Sequence, residues 1–187
     1  MVTGPSGAGK GTLIRELLAR VPDLEVTVSA TTRERRPGER DGREYWFLSP
    51  AEFRARIDAD AFLEHVEYVS GHRYGTLRSE LARIADGGHV PLLELETEGA
   101  LHVRHDVPGA VTIFISAPVE ELERRLRERA TESAGEIGER IRLARRQLRQ
   151  AEDFDYVVEN DELEHAVETL TQLVRGLLSP AATMPRR

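Results

Sequence analysis

The apolar residues of this 187-residue chain recur with two different periods along the sequence. Spacings of three and four residues predict helices that begin near positions 10, 50, 78, 99, 118, 134 and 163. Short apolar or alternating runs predict strands at 25–30, 45–47, 62–69, 90–95, 110–115 and 155–158. Because strands and helices alternate at both ends of the chain, we predict an α/β protein with a three-layer core built on a parallel sheet.

The middle of the chain departs from this alternation. A polar stretch that contains Pro37-Gly38 indicates a loop, and the segment 71–76 is predicted as a turn. We therefore predict a single domain over residues 1–178 that carries a small sub-domain of mixed β structure. The predicted parts are a core at 1–30 and 78–178, the insertion at about 31–77, and a Pro- and Ala-rich disordered tail at 179–187.

A glycine-rich loop stands immediately before the first predicted helix. It reads Gly4, Pro5, Ser6, Gly7, Ala8, Gly9, Lys10, Gly11, Thr12 and contains the spacing G-x-x-x-x-G-K. In this pattern glycines let backbone N–H groups face an anion, and the lysine ammonium reaches the terminal phosphates. The N-terminus of the following helix adds partial positive charge. The sequence therefore predicts a phosphate-binding loop over these nine residues, with Lys10 as a catalytic candidate.

Two positions of this loop refine the prediction. Gly11 stands where the common motif has the Ser or Thr whose hydroxyl binds Mg²⁺, and Thr12 follows one place later. This form resembles nucleoside monophosphate kinases more than GTPases or motor ATPases, and it predicts that Mg²⁺ is held mainly by phosphate and water, without a direct protein ligand. Lys10 is also the only lysine of the chain. A compact ammonium fits a tight loop in which a planar guanidinium cannot replace it.

Three residues alone precede the loop, whereas a strand of about five residues normally leads into one. We therefore expect the true start of the protein to lie upstream. The formal net charge of -7 argues against a general nucleic-acid surface. There is no cysteine and no apolar run near 18 residues, so we expect a cytoplasmic protein without a membrane partner. The sequence indicates no particular oligomeric state.

Further polar residues could converge within the insertion and at its borders. They are Ser29, Arg33, Arg36, Tyr45, Glu64, Tyr74 and Thr76. Two arginines and two tyrosyl hydroxyls suit a phosphate monoester. A carboxylate such as Glu64 suits guanine, which offers N1–H and N2–H₂ as donors, and disfavours adenine, which presents a lone pair at the same edge.

Four segments together make nearly the whole chain similar to guanylate kinases: GPSGAGKGT, VSATTRERRPGERDGREYWF, FLEHVEYVSGHRYGT and FDYVVEND. The resemblance implies a P-loop kinase fold with a GMP-binding insertion and a helical lid at about 125–140. It also implies transfer of a phosphoryl group from ATP to GMP with Mg²⁺. The implied guanine-binding residues are Ser29, Glu64 and Thr76, and the implied phosphate-binding residues are Arg33, Arg36, Tyr45 and Tyr74. Gly75 and Glu96 are further candidates for the GMP site.

The same resemblance implies roles on the ATP side. Arg125, Arg129 and Arg140 would close on the ATP phosphates, and Asn160 would lie near the adenine. Two departures from the family pattern stand out, because Glu96 occupies a position that is usually Asp and Glu98 replaces a neutral amide. A third is Ala130, which follows Arg129 where the family usually has Gly. We expect these changes to affect turnover more than substrate class.

Two other functions would use a similar framework. A non-catalytic guanylate kinase-like module would bind a phosphopeptide, but such modules have usually lost the phosphate-binding loop, of which this chain keeps Gly9, Lys10 and Thr12. A related kinase that acts on a phosphosugar would not need Ser29 and Glu64 together with Thr76. The sequence therefore favours an enzyme that uses ATP and GMP.

Overall fold

The computed structural model describes residues 1–67, 71–128 and 134–179. The helices are α1 (Lys10–Arg20), α2 (Pro50–Asp58), α3 (Arg78–Asp86), α4 (Thr97–Asp106), α5 (Val119–Glu128), α6 (Ala134–Leu148) and α7 (Leu163–Leu178). The strands are β1 (Val2–Thr3), β2 (Leu24–Val26), β3 (Ala30–Thr31), β4 (Trp46–Phe47), β5 (Phe62–Glu67), β6 (Arg73–Leu77), β7 (Val90–Leu92), β8 (Ile113–Ser116) and β9 (Tyr156–Glu159). The α/β class predicted from the sequence is confirmed.

The chain folds into two compact units, of which the first contains Met1–Pro22 and Val111–Arg187. Its sheet is parallel, with the strand order β1-β8-β9. The strands are short and apolar, and Phe114 and Ile115 at the centre of β8 are fully buried. Helices α1 and α7 pack against each other. Because β1 ends at Thr3, the glycine-rich loop leaves the sheet at the carboxyl end of a strand.

The second unit is formed by Asp23–Ala110. Strand β2 pairs in parallel with β7, and four further strands form a mixed sheet in the order β4-β3-β6-β5. Under this sheet Phe53 of α2 stacks on Phe62 of β5, with ring centroids 4.4 Å apart, and both rings are buried. Helix α2 begins with the N-cap Ser49, whose side chain and that of Glu52 form a capping box.

Two predicted segments differ from the structure. The predicted strand 25–30 is interrupted, because β2 ends at Val26 and β3 begins at Ala30 in another sheet. The segment 71–76 was expected to be a turn, but residues Arg73–Leu77 form strand β6. Gly71 does turn the chain, with φ +76°, whereas Gly75 lies inside the strand. A Cβ on Gly75 would stand 2.7 Å from the carbonyl oxygen of Glu64 and 2.9 Å from the ring of Phe62. This glycine therefore permits close packing of strands rather than a change of direction.

Some predicted features lie outside the described residues. They are the tail from residue 180 onward, the last part of the predicted strand 62–69, and residues 129–133 of the predicted lid, which include Arg129. None of the helices within the described ranges is long and apolar enough to cross a membrane.

Candidate functional site

The glycine-rich loop between β1 and α1 has a backbone that requires glycine at several positions. Gly4, Gly7 and Gly9 adopt φ values of +143°, +91° and +86°. A Cβ on Gly4 would lie 2.2 Å from the carbonyl oxygen of Ile115, and a Cβ on Gly9 would lie 2.4 Å from Nδ2 of Asn160. The first amides of α1 have no acceptor within the helix. The loop therefore presents N–H groups and the positive end of a helix dipole to an anion.

The ammonium of Lys10 folds back over this loop. Its Nζ donates to the carbonyl oxygen of Gly4 at 2.6 Å and to that of Pro5 at 3.3 Å. Next to it, Gly11 is exposed, and a Cβ placed there would have no atom of another described part of the chain within 4 Å. Within the described ranges, no three His, Cys, Asp or Glu side chains are grouped so that they could hold a metal ion.

Two arginines from α5 and α6 contact the loop in the same unit. Nη1 of Arg125 donates to the carbonyl oxygen of Gly7 at 3.2 Å, and Nη2 of Arg140 donates to Oγ of Ser6 at 2.8 Å. Nε of Arg125 also donates to Oε1 of Glu121 at 2.6 Å. Hydrogen bonds from Arg124, which has the larger effect, and from Arg125 lower the pKa of Glu121 to about 2. This carboxylate thus holds Arg125 beside the loop.

Asn160 is hydrogen-bonded to the backbone of the glycine-rich loop. Its Nδ2 donates to the carbonyl oxygen of Ala8 at 2.7 Å, and the residue is only 2% exposed. Its Oδ1 is buried and has no hydrogen-bond partner among the residues that the structure describes. The side chain that was expected near the adenine is therefore bonded to the loop backbone, and a contact with the base stays a prediction.

A buried carboxylate dominates the second unit. Glu64 of β5 is paired with Thr76 of β6, and its Oε1 accepts from both the backbone N of Thr76 at 2.9 Å and its Oγ1 at 2.8 Å. Burial raises the pKa of Glu64, although the bonds from Thr76 oppose this effect. Gly99 of α4 stands beside Oε2, because a Cβ on this glycine would lie 3.2 Å from that oxygen. One carboxylate oxygen is thus fixed, and a small residue adjoins the other.

In the same unit, the guanidinium of Arg33 lies close to aromatic rings. The guanidinium of Arg33 lies 5.4 Å from the ring centroid of Tyr45, and the rings of Tyr45 and Tyr74 meet edge to face at 5.8 Å. Burial, and then the proximity of Tyr74, raise the pKa of Tyr45. Nη2 of Arg33 pairs with Oε1 of Glu39 at 2.8 Å. Arg33, Tyr45 and Tyr74 therefore lie close together, and the sequence indicated that these residues could converge.

Other predicted residues of this unit are exposed or make hydrogen bonds through their backbone. Arg36 is exposed, and its backbone N donates to Oε2 of Glu39 at 2.8 Å. The carbonyl oxygen of Ser29 accepts from the backbone N of Trp46 at 2.9 Å. Glu96 is exposed at the N-cap of α4, and its side chain makes no capping bond.

Three residues with evident contacts were missed by the sequence reasoning. They are Glu39, Glu80 and Gly99. Glu39 stands in an arginine-rich stretch directly after Pro37-Gly38, which could have marked it as an ion-pair partner. No signal in the sequence distinguished Glu80 from an ordinary solvated helix residue.

The fold and the loop define the class of protein. A parallel strand that leads through a glycine-rich loop into a helix beginning with lysine is the arrangement of a P-loop nucleotide-binding protein. The comparisons with known proteins are more specific, because the family model described as guanylate kinase matches residues 1–177. The chain therefore belongs to the guanylate kinase family.

Individual relatives agree with this assignment. A guanylate kinase of Aromatoleum aromaticum (strain DSM 19018 / LMG 30748 / EbN1) is 47% identical over 177 residues, which cover 94% of this chain and 86% of the relative. A guanylate kinase of Synechococcus sp. (strain JA-3-3Ab) is 46% identical over 175 residues, covering 93% and 80%. The crystal structure of guanylate kinase from Anaplasma phagocytophilum superimposes with a TM-score of 0.73 at 28% identity, covering 96% of this chain and 87% of that one.

Proposed function

We propose that this protein phosphorylates GMP with ATP and releases GDP and ADP. The observation that carries the proposal is the state of Glu64. Its carboxylate is 8% exposed, Thr76 fixes one oxygen through two hydrogen bonds, and Gly99 adjoins the other. A buried carboxylate needs donors, and the N1–H and N2–H₂ groups of guanine supply two adjacent ones, whereas adenine presents a lone pair at N1 and a C–H at C2.

The phosphate of GMP is assigned to the group around Arg33. A guanidinium and two phenolic hydroxyls, from Tyr45 and Tyr74, provide donors for a phosphate monoester. Glu39 already pairs with Arg33, so GMP binding exchanges a carboxylate partner for a phosphate with higher charge. We assign Ser29, Gly75, Thr76 and Glu96 to the guanine side of this site and Arg36 to its phosphate side.

ATP is assigned to the glycine-rich loop. Its phosphates accept from backbone N–H groups of residues 6–12, and Lys10 exchanges the carbonyl oxygens of Gly4 and Pro5 for phosphate oxygens. Arg125 and Arg140, which already contact the loop, neutralise charge that develops during transfer. Arg129 is proposed for the same role, and Asn160 is proposed to hold the loop and to reach the adenine.

No general base is needed for this reaction. A phosphate monoester with a second pKa of about 6 is mostly dianionic at pH 7, so its oxygen is ready to attack. Catalysis then depends on alignment of the two phosphates and on neutralisation of charge. Closure of the lid at about 125–140 and of the insertion at about 31–77 would exclude water, which otherwise would hydrolyse ATP.

The residues around the loop fit a magnesium ion that is held by phosphate and water. Gly11 carries no side chain, and the space beside it is open. An ion with several water ligands is accommodated more easily there than beside a bulky residue. When bound, Mg²⁺ neutralises phosphate charge and orients the phosphoryl group.

The test is a comparison of phosphoryl acceptors. Purified protein is incubated with ATP and Mg²⁺ together with GMP, AMP or glucose 6-phosphate, and the formation of ADP and of each phosphorylated product is measured. We expect GDP from GMP, and rates lower by at least ~10²-fold with the other two acceptors. Equal rates with GMP and AMP would contradict the role of Glu64. Binding of GMP without turnover would favour a non-catalytic module.

A further inference from the structure

We propose that Glu80 is a positioning residue of the GMP site, which it organises from α3 by holding the backbone beside Ser29 and the ring beside Tyr45. The inference rests on the proposed function, because GMP binding is one of its readouts. Glu80 touches neither substrate in this assignment. It acts through Val28 and Trp46, which are the direct neighbours of two assigned GMP residues.

Glu80 is almost completely buried and fully used as an acceptor. It is 3% exposed. Its Oε2 accepts from the backbone N of Val28 at 3.0 Å, and its Oε1 accepts from Nε1 of Trp46 at 3.2 Å. Arg83 donates Nε to Oε1 and Nη2 to Oε2, both at 3.1 Å. Burial alone would raise the pKa of Glu80, but these donors lower it below its ordinary value. The residue is therefore a carboxylate at neutral pH.

Glu80 supplies an acceptor to the backbone N–H of Val28, which lies outside the strands. Strand β2 ends at Val26 and β3 begins at Ala30, so Val28 lies between two strands. A buried or half-buried backbone N–H in such a connection needs an acceptor, and Glu80 supplies it. Ser29 follows directly, and its conformation depends on where this N–H is held.

The bond to Trp46 holds the segment that contains Tyr45. The backbone N of Trp46 donates to the carbonyl oxygen of Ser29 at 2.9 Å, while its indole N–H donates to Glu80. Tyr45 precedes Trp46 and carries the ring that lies beside Arg33. One carboxylate thus links the guanine side, at Ser29, to the phosphate side, at Tyr45.

A simpler interpretation is that Glu80 only forms an ion pair with Arg83, three residues later on the same helix. The structure argues against this, because Arg83 is 47% exposed and has a second carboxylate partner, Oε1 of Glu25, at 2.7 Å. Surface pairs of this kind contribute little. The two interpretations make different predictions for substitutions on either side of Arg83.

The test uses three variants. Glu80→Gln retains the size of the side chain but turns an amide N–H₂ toward donors, so one of the bonds to Val28 and Trp46 is lost. Trp46→Phe removes the indole donor together with part of the ring and leaves Glu80 and Arg83 unchanged. Glu25→Gln is the matched control, because it removes a carboxylate from Arg83 without touching Val28 or Trp46. KM for GMP, KM for ATP, kcat and the midpoint of thermal unfolding are measured for each.

We expect Glu80→Gln to raise KM for GMP by ~10-fold and to leave KM for ATP within about twofold. Trp46→Phe should raise KM for GMP by about threefold, and Glu25→Gln should change neither KM by more than about twofold. An unchanged KM for GMP in Glu80→Gln, or an equal rise of both KM values, overturns the proposal. If Glu80→Gln does not fold, an unchanged KM for GMP in Trp46→Phe overturns it.

A second measurement separates this proposal from the proposed function. Trp46 is the only tryptophan of the chain, so its fluorescence emission reports on the indole without nucleotide or turnover. We expect Glu80→Gln to shift the emission maximum of the ligand-free protein and Glu25→Gln to leave it unchanged. If the protein does not phosphorylate GMP but this shift occurs, the proposed function fails, and Glu80 positions Trp46 without serving a GMP site. If GMP is phosphorylated and the shift is absent, the positioning fails alone.

Discussion

Single residues in this protein combine burial with charge, and Glu64 is the clearest case. A carboxylate that is 8% exposed retains its charge only with good donors, and Thr76 supplies two of them to one oxygen. Lys10 is the corresponding cation in the first unit, where two carbonyl oxygens hold its ammonium. Each residue is thus held in place before a substrate arrives, which lowers the ordering cost of binding.

The raised pKa of Glu64 predicts how GMP binding depends on pH. Burial raises this pKa, so the ligand-free protein gains stability from the protonated form at low pH and loses it as pH rises through the folded-state pKa. In the proposed binding mode GMP needs the carboxylate, so its affinity should fall on acidification at a higher pH than an ordinary glutamate, with pKa about 4.3, would cause. Calorimetric titration of GMP between pH 7 and pH 4.5 measures the effect.

The control for this measurement is Glu64→Gln. The phosphate of GMP titrates near pH 6 in both proteins, so the difference between the two profiles isolates the carboxylate. Identical profiles for the wild type and the variant would remove Glu64 from guanine recognition.

Substitution of Lys10 should separate turnover from GMP affinity. Lys10→Met removes one cationic donor to the migrating phosphoryl group, and we expect turnover to fall by at least ~10²-fold while the Kd for GMP stays nearly constant. Arg15→Met is the control, since this arginine lies on the same helix with a 71% exposed side chain. Turnover of Lys10→Met within about threefold of the wild type would refute the assignment.

At the scale of elements, the glycine-rich loop is supported by structure that is distant in sequence. Asn160, directly after β9, bonds to Ala8, and α5 and α6 bring Arg125 and Arg140 to the loop. The loop conformation is therefore determined by packing as well as by its glycines. A change in this packing should affect stability and ATP binding together.

Gly9→Ala tests this packing. The variant combines φ +86° with a Cβ that would stand 2.4 Å from Nδ2 of Asn160, so we expect the free energy of unfolding to fall by about 1–3 kcal/mol and ATP binding to weaken. Gly176→Ala in α7 has no atom within 4 Å of its Cβ, and it should raise the free energy of unfolding by about 0.5–1 kcal/mol. Urea unfolding of both variants measures these values, and equal effects would contradict the steric argument.

The elements of this fold also differ in how far the sequence predicts them. Periodic apolar spacing identified α1 and α7, and the loop motif identified the residues around Lys10, because these signals are local. Strand β6 was mistaken for a turn, since the reason for Gly75 lies in Glu64 and Phe62 on the neighbouring strand. Glu80 was missed for the same reason, because its partners Val28 and Trp46 are distant in sequence.

On the scale of the whole molecule, each compact unit carries its own group of residues that we assign to an anionic substrate. The chain has 26 basic and 33 acidic residues, so its average field does not favour anionic substrates. The proposed function therefore assigns the attraction of the nucleotides to local arrangements of Lys10 and arginines. This separation predicts that each substrate stabilises mainly its own unit.

Amide hydrogen exchange can test whether each substrate stabilises mainly one unit. GMP alone should slow exchange in β5, β6 and the loop around Arg33, and a non-hydrolysable ATP analogue alone should slow exchange at residues 4–12 and at the start of α1. AMP is the control, because adenine lacks the N1–H and N2–H₂ donors that are assigned to Glu64, and it should protect the second unit less than GMP. Equal protection of both units by either nucleotide would contradict the prediction.

The position of the one lysine has a practical consequence. Since Lys10 carries the only side-chain amine of the chain and lies in the glycine-rich loop, an acylating reagent has a single lysine to modify. Mass spectrometry of that modification then becomes a direct gauge of loop occupancy, with nucleotide shielding the amine and an empty loop exposing it to the reagent.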